Sequence, residues 1–114
     1  MHTGNEGPLR FLRAAEQVEA WANELPVWRE GTNELWYEFL DREYEAEMAL
    51  AARLRREPTC KIWMNADRNM VELKLGGLKV HSQHRLRGAC LAWAAELRKR
   101  VALALAEGRS DIAA

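Results

Sequence analysis

Residues 60–83, CKIWMNADRNMVELKLGGLKVHSQ, alternate apolar and polar side chains with a period of two, while the stretches on either side repeat every three to four residues. A sheet period enclosed between helix periods restricts the chain to an α+β arrangement, with strands contiguous and helices packed against them. Three strands follow from the alternation: Cys60–Asn65, Met70–Leu75 and Leu78–His81. The turns between them are NADRN and Gly76-Gly77, and a glycine pair between alternating runs is a strong hairpin signal. One face of this meander would carry Ile62, Met64, Val71, Leu73, Leu75, Leu78 and Val80. The other would carry Lys61, Trp63, Asn65, Glu72, Lys74, Lys79 and His81.

The flanking segments read as helices. Pro8 suits a first helical turn, where its missing N–H has no partner to lose, and Phe11, Ala14, Val18, Trp21 and Leu25 then form one stripe before Pro26 ends it. A loop around Gly31 follows, with Thr32 or Asn33 as the expected N-cap of a second helix from Glu34 to about Arg56. Trp36, Leu40, Tyr44, Met48, Ala51 and Leu54 line its apolar face, widened by Leu35 and Phe39. Its glutamates gather early and Arg53, Arg55 and Arg56 late, which matches the helix dipole at both ends, and Pro58 closes it. Ser82 is positioned to cap a third helix from about Gln83 to Glu107, with Leu86, Cys90, Trp93, Leu97, Val101 and Leu105 as its stripe and Gly108 as its stop. The element order is ααβββα, an antiparallel meander with helices on its apolar face.

At 114 residues the chain supports one core and one domain, with residues 1–7 and 108–114 expected as loose ends. It has no apolar run of bilayer length and no signal-peptide pattern at MHTGNEGPL, which leads to the expectation of a cytoplasmic protein without a membrane partner. Cys60 and Cys90 both fall in apolar patterns and are expected as buried thiols. Thirteen arginines against four lysines is a bias common in GC-rich bacterial genomes and their phages.

The net charge of zero conceals a division. Residues 1–57 hold 12 acids and 7 bases, a net of −5, while residues 58–114 hold 5 acids and 10 bases, a net of +5. Either the halves attract each other, or one presents a charged face to a partner. Glu34, Glu38, Asp41 and Glu45, at spacings of four, three and four, share one helical face, with Glu30 just before them. Such carboxylates repel by about a few tenths of a kcal/mol per pair, with Arg42 as internal counter-charge. Trp28, in the loop, and Trp63, on the outer sheet face, are the candidates for exposed anchors, whereas Trp21, Trp36 and Trp93 fall in helical stripes and read as core.

His81, His84 and Cys90 invite a metal reading, but a strand residue, a cap residue and a buried-stripe residue need not converge, so no metal site and no cofactor are expected. Gln83, His84 and Arg85 at a helix N-terminus could attract an anion. No nucleophile motif, phosphate-cradling loop or C-x-x-C pair is present, which points away from an enzyme. Two binding functions remain. One is a protein-interaction module, of inhibitor or adaptor type and of bacterial or phage origin. It would dock a partner's basic, nucleic-acid-binding surface through Trp28, Glu30, Glu34, Glu38, Asp41 and Glu45. The other is a nucleic-acid-binding accessory protein using Lys61, Trp63, Lys74, Lys79, His81, Arg85 and Arg87. A homodimer joined through its exposed tryptophans is a further expectation.

Overall fold

The computed structural model describes residues 6–108 and has the order ααβββα. Helix α1 spans Glu6–Asn23, α2 Trp36–Leu54 and α3 Arg85–Ala106; strands β1 (Lys61–Met64), β2 (Val71–Leu75) and β3 (Leu78–Ser82) form one antiparallel sheet in sequential order. Of the stretches expected to be loose, residues 1–5 and 109–114 lie outside the described residues, whereas Glu6 and Gly7 already belong to α1. No helix among the described residues is long and apolar enough to cross a membrane.

The sheet follows its alternation closely. Cross-strand rows Ile62–Leu73–Val80 and Met64–Val71–Ser82 face inward, and Lys61–Lys74–Lys79 and Trp63–Glu72–His81 face outward. Gly76 and Gly77 both take left-handed backbone angles, φ 60° and 85°, which lets a two-residue turn join β2 to β3 without splaying them. Gly108, at φ 69°, ends α3 in the left-handed conformation that a C-terminal glycine permits.

Helix α3 is the centre of the molecule. Leu86, Ala89, Cys90, Trp93, Ala94, Leu97, Val101 and Ala104 are all buried, because one side of the helix meets β2 and β3 and another meets α1. A helix covered on two sides must be apolar around more than one stripe, which alanine provides at close-approach positions. Leu105, expected in the stripe, lies past the layer that covers it and is 55% exposed. On α1 the buried positions are Ala15, Val18 and Ala22, with Leu25 just beyond the helix, while Phe11, Ala14 and Trp21 remain half-buried. Arg98 of α3 joins Glu19 of α1 through two hydrogen bonds of 2.9 and 3.0 Å.

Helix α2 departs from its expected orientation. Leu50, Ala51 and Leu54 enter the core, but Trp36 is 55% exposed and Tyr44 49%. The buried side of α2 runs through Phe39, Glu47, Leu50, Ala51 and Leu54, so Ala51, Leu54 and the flanking Phe39 of the expected face are buried, while Trp36, Leu40, Tyr44 and Met48 are not. Its first half stands clear of the main core. The radius of gyration, 16.2 Å, exceeds the roughly 13 Å typical of a compact chain of this size, and the principal extents are 53 × 27 × 24 Å.

The caps also differ in detail. Neither Thr32 nor Asn33 caps α2: the Leu35 N–H donates to Glu38 Oε1 at 2.9 Å, and Thr32 Oγ1 donates instead to the Arg29 carbonyl. Ser82 accepts from the His84 N–H at 2.9 Å, which forms a turn just before α3 rather than a cap on its first residues. Gly88 packs over that turn, where an added Cβ would collide with Ser82 Oγ and lie 2.6 Å from His84 Cβ. Both cysteines are free thiols, Cys90 fully buried and Cys60 half-buried. Burial, then the neighbouring Cys60, pushes the Cys90 thiol up to about 12.

Two measurements test this packing. Gly88→Ala gains about 1 kcal/mol of helix propensity but should lose about 1–3 kcal/mol to overpacking, so its urea midpoint falls; a midpoint at or above wild type would show that the Ser82 turn yields freely. For Cys90, the unfolded thiol ionises near pH 8.5 while the folded one keeps its proton, so the stability from this group is present below that pH and lost as pH rises. Wild type should therefore lose up to about 1.4 kcal/mol per pH unit relative to Cys90→Ala between pH 9 and 10. Parallel stability curves for the two proteins would refute the burial of that thiol.

Candidate functional site

The one buried charged side chain among the described residues with a core-like exposure is Glu47, at 3%. Arg85 grips it through two hydrogen bonds, Nε to Oε2 at 3.1 Å and a terminal nitrogen to Oε1 at 3.0 Å, and Arg68 donates to the same Oε1. Arg85 also reaches Glu43 at 2.9 Å, and the Arg68 guanidinium lies 4.7 Å from the Tyr44 ring centroid. Glu47 and then Glu43 raise the Arg85 pKa further above its ordinary value. Arg68 and Arg85 are the two described non-glycine residues with positive φ, 60° and 65°. Such angles carry a backbone cost that persists where surrounding contacts hold it. Those contacts include Arg68 N–H to the Asn65 carbonyl and Arg85 N–H to the Asn69 carbonyl, both 3.0 Å.

This clasp ties α2 to the β1–β2 turn and to the start of α3. It also accounts for part of the charge division, since the pairs of Glu19, Glu43 and Glu47 with Arg68, Arg85 and Arg98 all join the acidic half to the basic half. Glu43, Glu47 and Arg68 were not singled out by sequence spacing. Two signals point to them in retrospect: Glu47 falls between Phe39 and Leu54 on the buried face, and an arginine occupies a turn position suited to glycine or asparagine.

The first half of α2 forms a second arrangement. Helical geometry sets Tyr37, Leu40, Tyr44 and Met48 along one flank and Asp41, Glu45 and Glu38 along the next. Tyr37 is 63% exposed, and Leu35 also lies open, at 52%. Behind them Trp28, Trp36 and Phe39 make a cluster with ring centroids 5.0–5.5 Å apart. Trp28 is therefore half-buried under Trp36, and the exposed anchor is Trp36, the reverse of the expected assignment. Glu34 precedes the helix and is bound by Arg42 at 2.8 and 2.9 Å, which holds its carboxyl below the usual range. Glu38, Asp41 and Glu45 are exposed, as is Glu30 in the loop. Among the described residues Asp41, Glu45 and Glu30 form no ion pair.

The outer sheet face is open, with Trp63 56% exposed beside the row of Lys61, Lys74 and Lys79. Glu72 sits in its centre, 3.1 Å from Lys79 Nζ and 3.4 Å from His81 Nδ1. Arg85 and Arg87 do not join this face: Arg85 is held by Glu47 and Glu43, and Arg87 donates to the Leu25 carbonyl at 2.7 Å. At the Gln83–Arg85 helix start proposed for an anion, the Arg85 guanidinium is already taken up by internal carboxylates. His81 stands on the outer face, His84 at the start of α3 and Cys90 in the core, and no group of three or more potential metal ligands assembles among the described residues.

Glu47→Gln keeps the shape of the clasp but removes the charge facing two arginines. Breaking a buried pair costs about 3–5 kcal/mol, and the partial exposure of both arginines places the expected loss at the lower end of that range. Arg98→Gln, at an exposed pair, should change stability by less than about 1 kcal/mol. Equal urea midpoints for the two variants would deny the clasp its structural role. No protein-family model, no curated protein and no solved structure matches this chain.

Proposed function

We propose that this protein is a binding module rather than an enzyme, an inhibitor or adaptor that docks a basic protein surface through the first half of α2. One observation carries this reading: exposed Trp36, Tyr37 and Tyr44 lie beside the exposed carboxylates Glu38, Asp41 and Glu45 on a half-helix that stands out from the core. Aromatic side chains supply large contact area with little entropy to lose, and they dominate binding hot spots. Carboxylates around them accelerate and orient the encounter with a positive surface. A partner face that grips nucleic acid has both the positive charge and the flat apolar ledges that such a helix complements. The Glu47 clasp fits the same role, because it anchors α2 at its middle and leaves the preceding turns exposed.

A second reading rests on the lysine row and Trp63 of the outer sheet face, which resemble the platforms that stack and neutralise single-stranded nucleic acid. Glu72 at its centre and the absence of Arg85 and Arg87 from it weaken that reading.

The test compares wild type, Glu38→Lys plus Glu45→Lys, and Lys61→Glu plus Lys74→Glu as baits in lysate with and without nuclease treatment. The expected outcome is a protein retained by wild type and by the sheet variant and lost by at least ten-fold with the helix variant. Retention insensitive to the helix variant overturns the proposal. Nucleic acid as the sole species retained before nuclease treatment, lost with the sheet variant, establishes the second reading instead.

A further inference from the structure

A cavity of about 710 Å³ opens between α1, the C-terminal end of α2, the β2–β3 turn and α3. This is within the ordinary size of small-molecule sites, about 300–1,000 Å³. Leu54, Leu78, Trp93 and Leu97 form its buried floor, and Phe11 and Trp21 its half-buried walls. These walls belong to the α1 stripe and are only partly covered by the core. The floor offers carbon only: Trp93 Nε1 is already donated to the Leu75 carbonyl at 3.0 Å, and Thr59 Oγ1 already accepts from the Gly76 N–H. No buried side-chain polar atom among the described residues lacks a partner.

The mouth has the opposite character. Arg10, Arg53, Arg56 and Arg100 line it, against Glu57 as the one lining carboxylate. The Arg53 guanidinium lies 5.0 Å from the Trp21 ring centroid and that of Arg10 5.5 Å from Phe11, so each rests on an aromatic wall. Arg53 meets Glu24 only at 3.9 Å, and Arg100 meets Glu96 at 3.4 Å. Arg10 and Arg56 form no ion pair among the described residues.

We infer that this cavity binds a small amphipathic anion, an alkyl carboxylate whose chain fills the apolar floor and whose head group is met by the arginines of the mouth. An apolar interior selects for hydrocarbon, and the excess of guanidinium around the rim selects for a negative head group. A neutral ligand of the same length leaves the mouth unsatisfied, and a cation is repelled by it. The site shares no residue with the docking face on α2, so either proposal can fail alone.

The probes are octanoate, decanoate and dodecanoate, titrated calorimetrically into the full chain, with dodecanol and dodecyltrimethylammonium as controls. Saturable one-to-one binding of dodecanoate is expected, with affinity rising about four-fold per methylene along the series, as burial of each CH2 requires. Arg10→Gln plus Arg53→Gln should weaken dodecanoate at least ten-fold and leave dodecanol unchanged. Ala14→Phe, which fills the cavity from α1, should abolish binding and leave the melting temperature at or above wild type; if that variant unfolds, the arginine variant and the controls still decide the matter. Glu38→Lys plus Glu45→Lys should bind dodecanoate as wild type does. Absence of saturable binding, equal affinity for the cation, or recruitment to phosphatidylglycerol vesicles without binding of free dodecanoate each overturns the inference.

Discussion

A carboxylate buried to 3% exposure and met by two arginines holds the parts of this molecule in relation to one another. Apolar packing alone does not do this for α2. Its core contribution is three residues near its end, Leu50, Ala51 and Leu54, and such contacts would tolerate rotation or sliding of the helix. Hydrogen bonds from Arg85 to both oxygens of Glu47 do not, because a planar fork matched to a carboxylate defines direction as well as distance. Arg68 and Arg85 reach the carboxylate from left-handed backbone positions, so the β1–β2 turn and the entry to α3 meet at the same group.

That constraint holds α2 in place although its first half is solvent-exposed. The helix is fastened at its middle by Glu43 and Glu47 and at its start by Arg42 on Glu34, with Trp28 edge-on to Trp36 and Phe39 and Trp36 stacked on Phe39. Preorganisation of this kind lowers the entropy lost on association, on which the proposed docking role would draw. The C-terminal end of the same helix contributes Arg53, Leu54 and Arg56 to the cavity, so one element serves two separate surfaces.

Legibility from sequence tracked the number of layers around each element. The meander has one face on α3 and one in solvent, so period-two alternation describes it fully, and its two face sets, together with Trp63 on the open side, match the structure. Helix α3 was legible in its stripe but not in its second buried side, where Ala89, Ala94 and Ala104 meet neighbours. Helix α2 follows its expected face at the C-terminal end, through Ala51 and Leu54, but not in its first half. Trp36 and Tyr44 are large and hydrophobic, and nothing local distinguishes a tryptophan that fills a core from one that faces outward. Of the acidic candidates, Glu38, Asp41 and Glu45 stand exposed on one face as spacing required, whereas Glu34 is engaged by Arg42.

The sequence by itself determined the class, the element order, the register-setting glycine turn and the inward and outward faces of the sheet. Each of these rests on contacts between near neighbours in the chain, where periodicity and turn chemistry act directly. Only the tertiary structure decided which carboxylate is buried, which arginines are taken up inside the fold, and where a cavity remains. Glu47 and Arg85 are 38 residues apart and Glu19 and Arg98 are 79 apart, separations that no local pattern encodes. Charge pairing at such distances follows from how helices stack, and the stacking is set by the summed shape of the core rather than by any one segment.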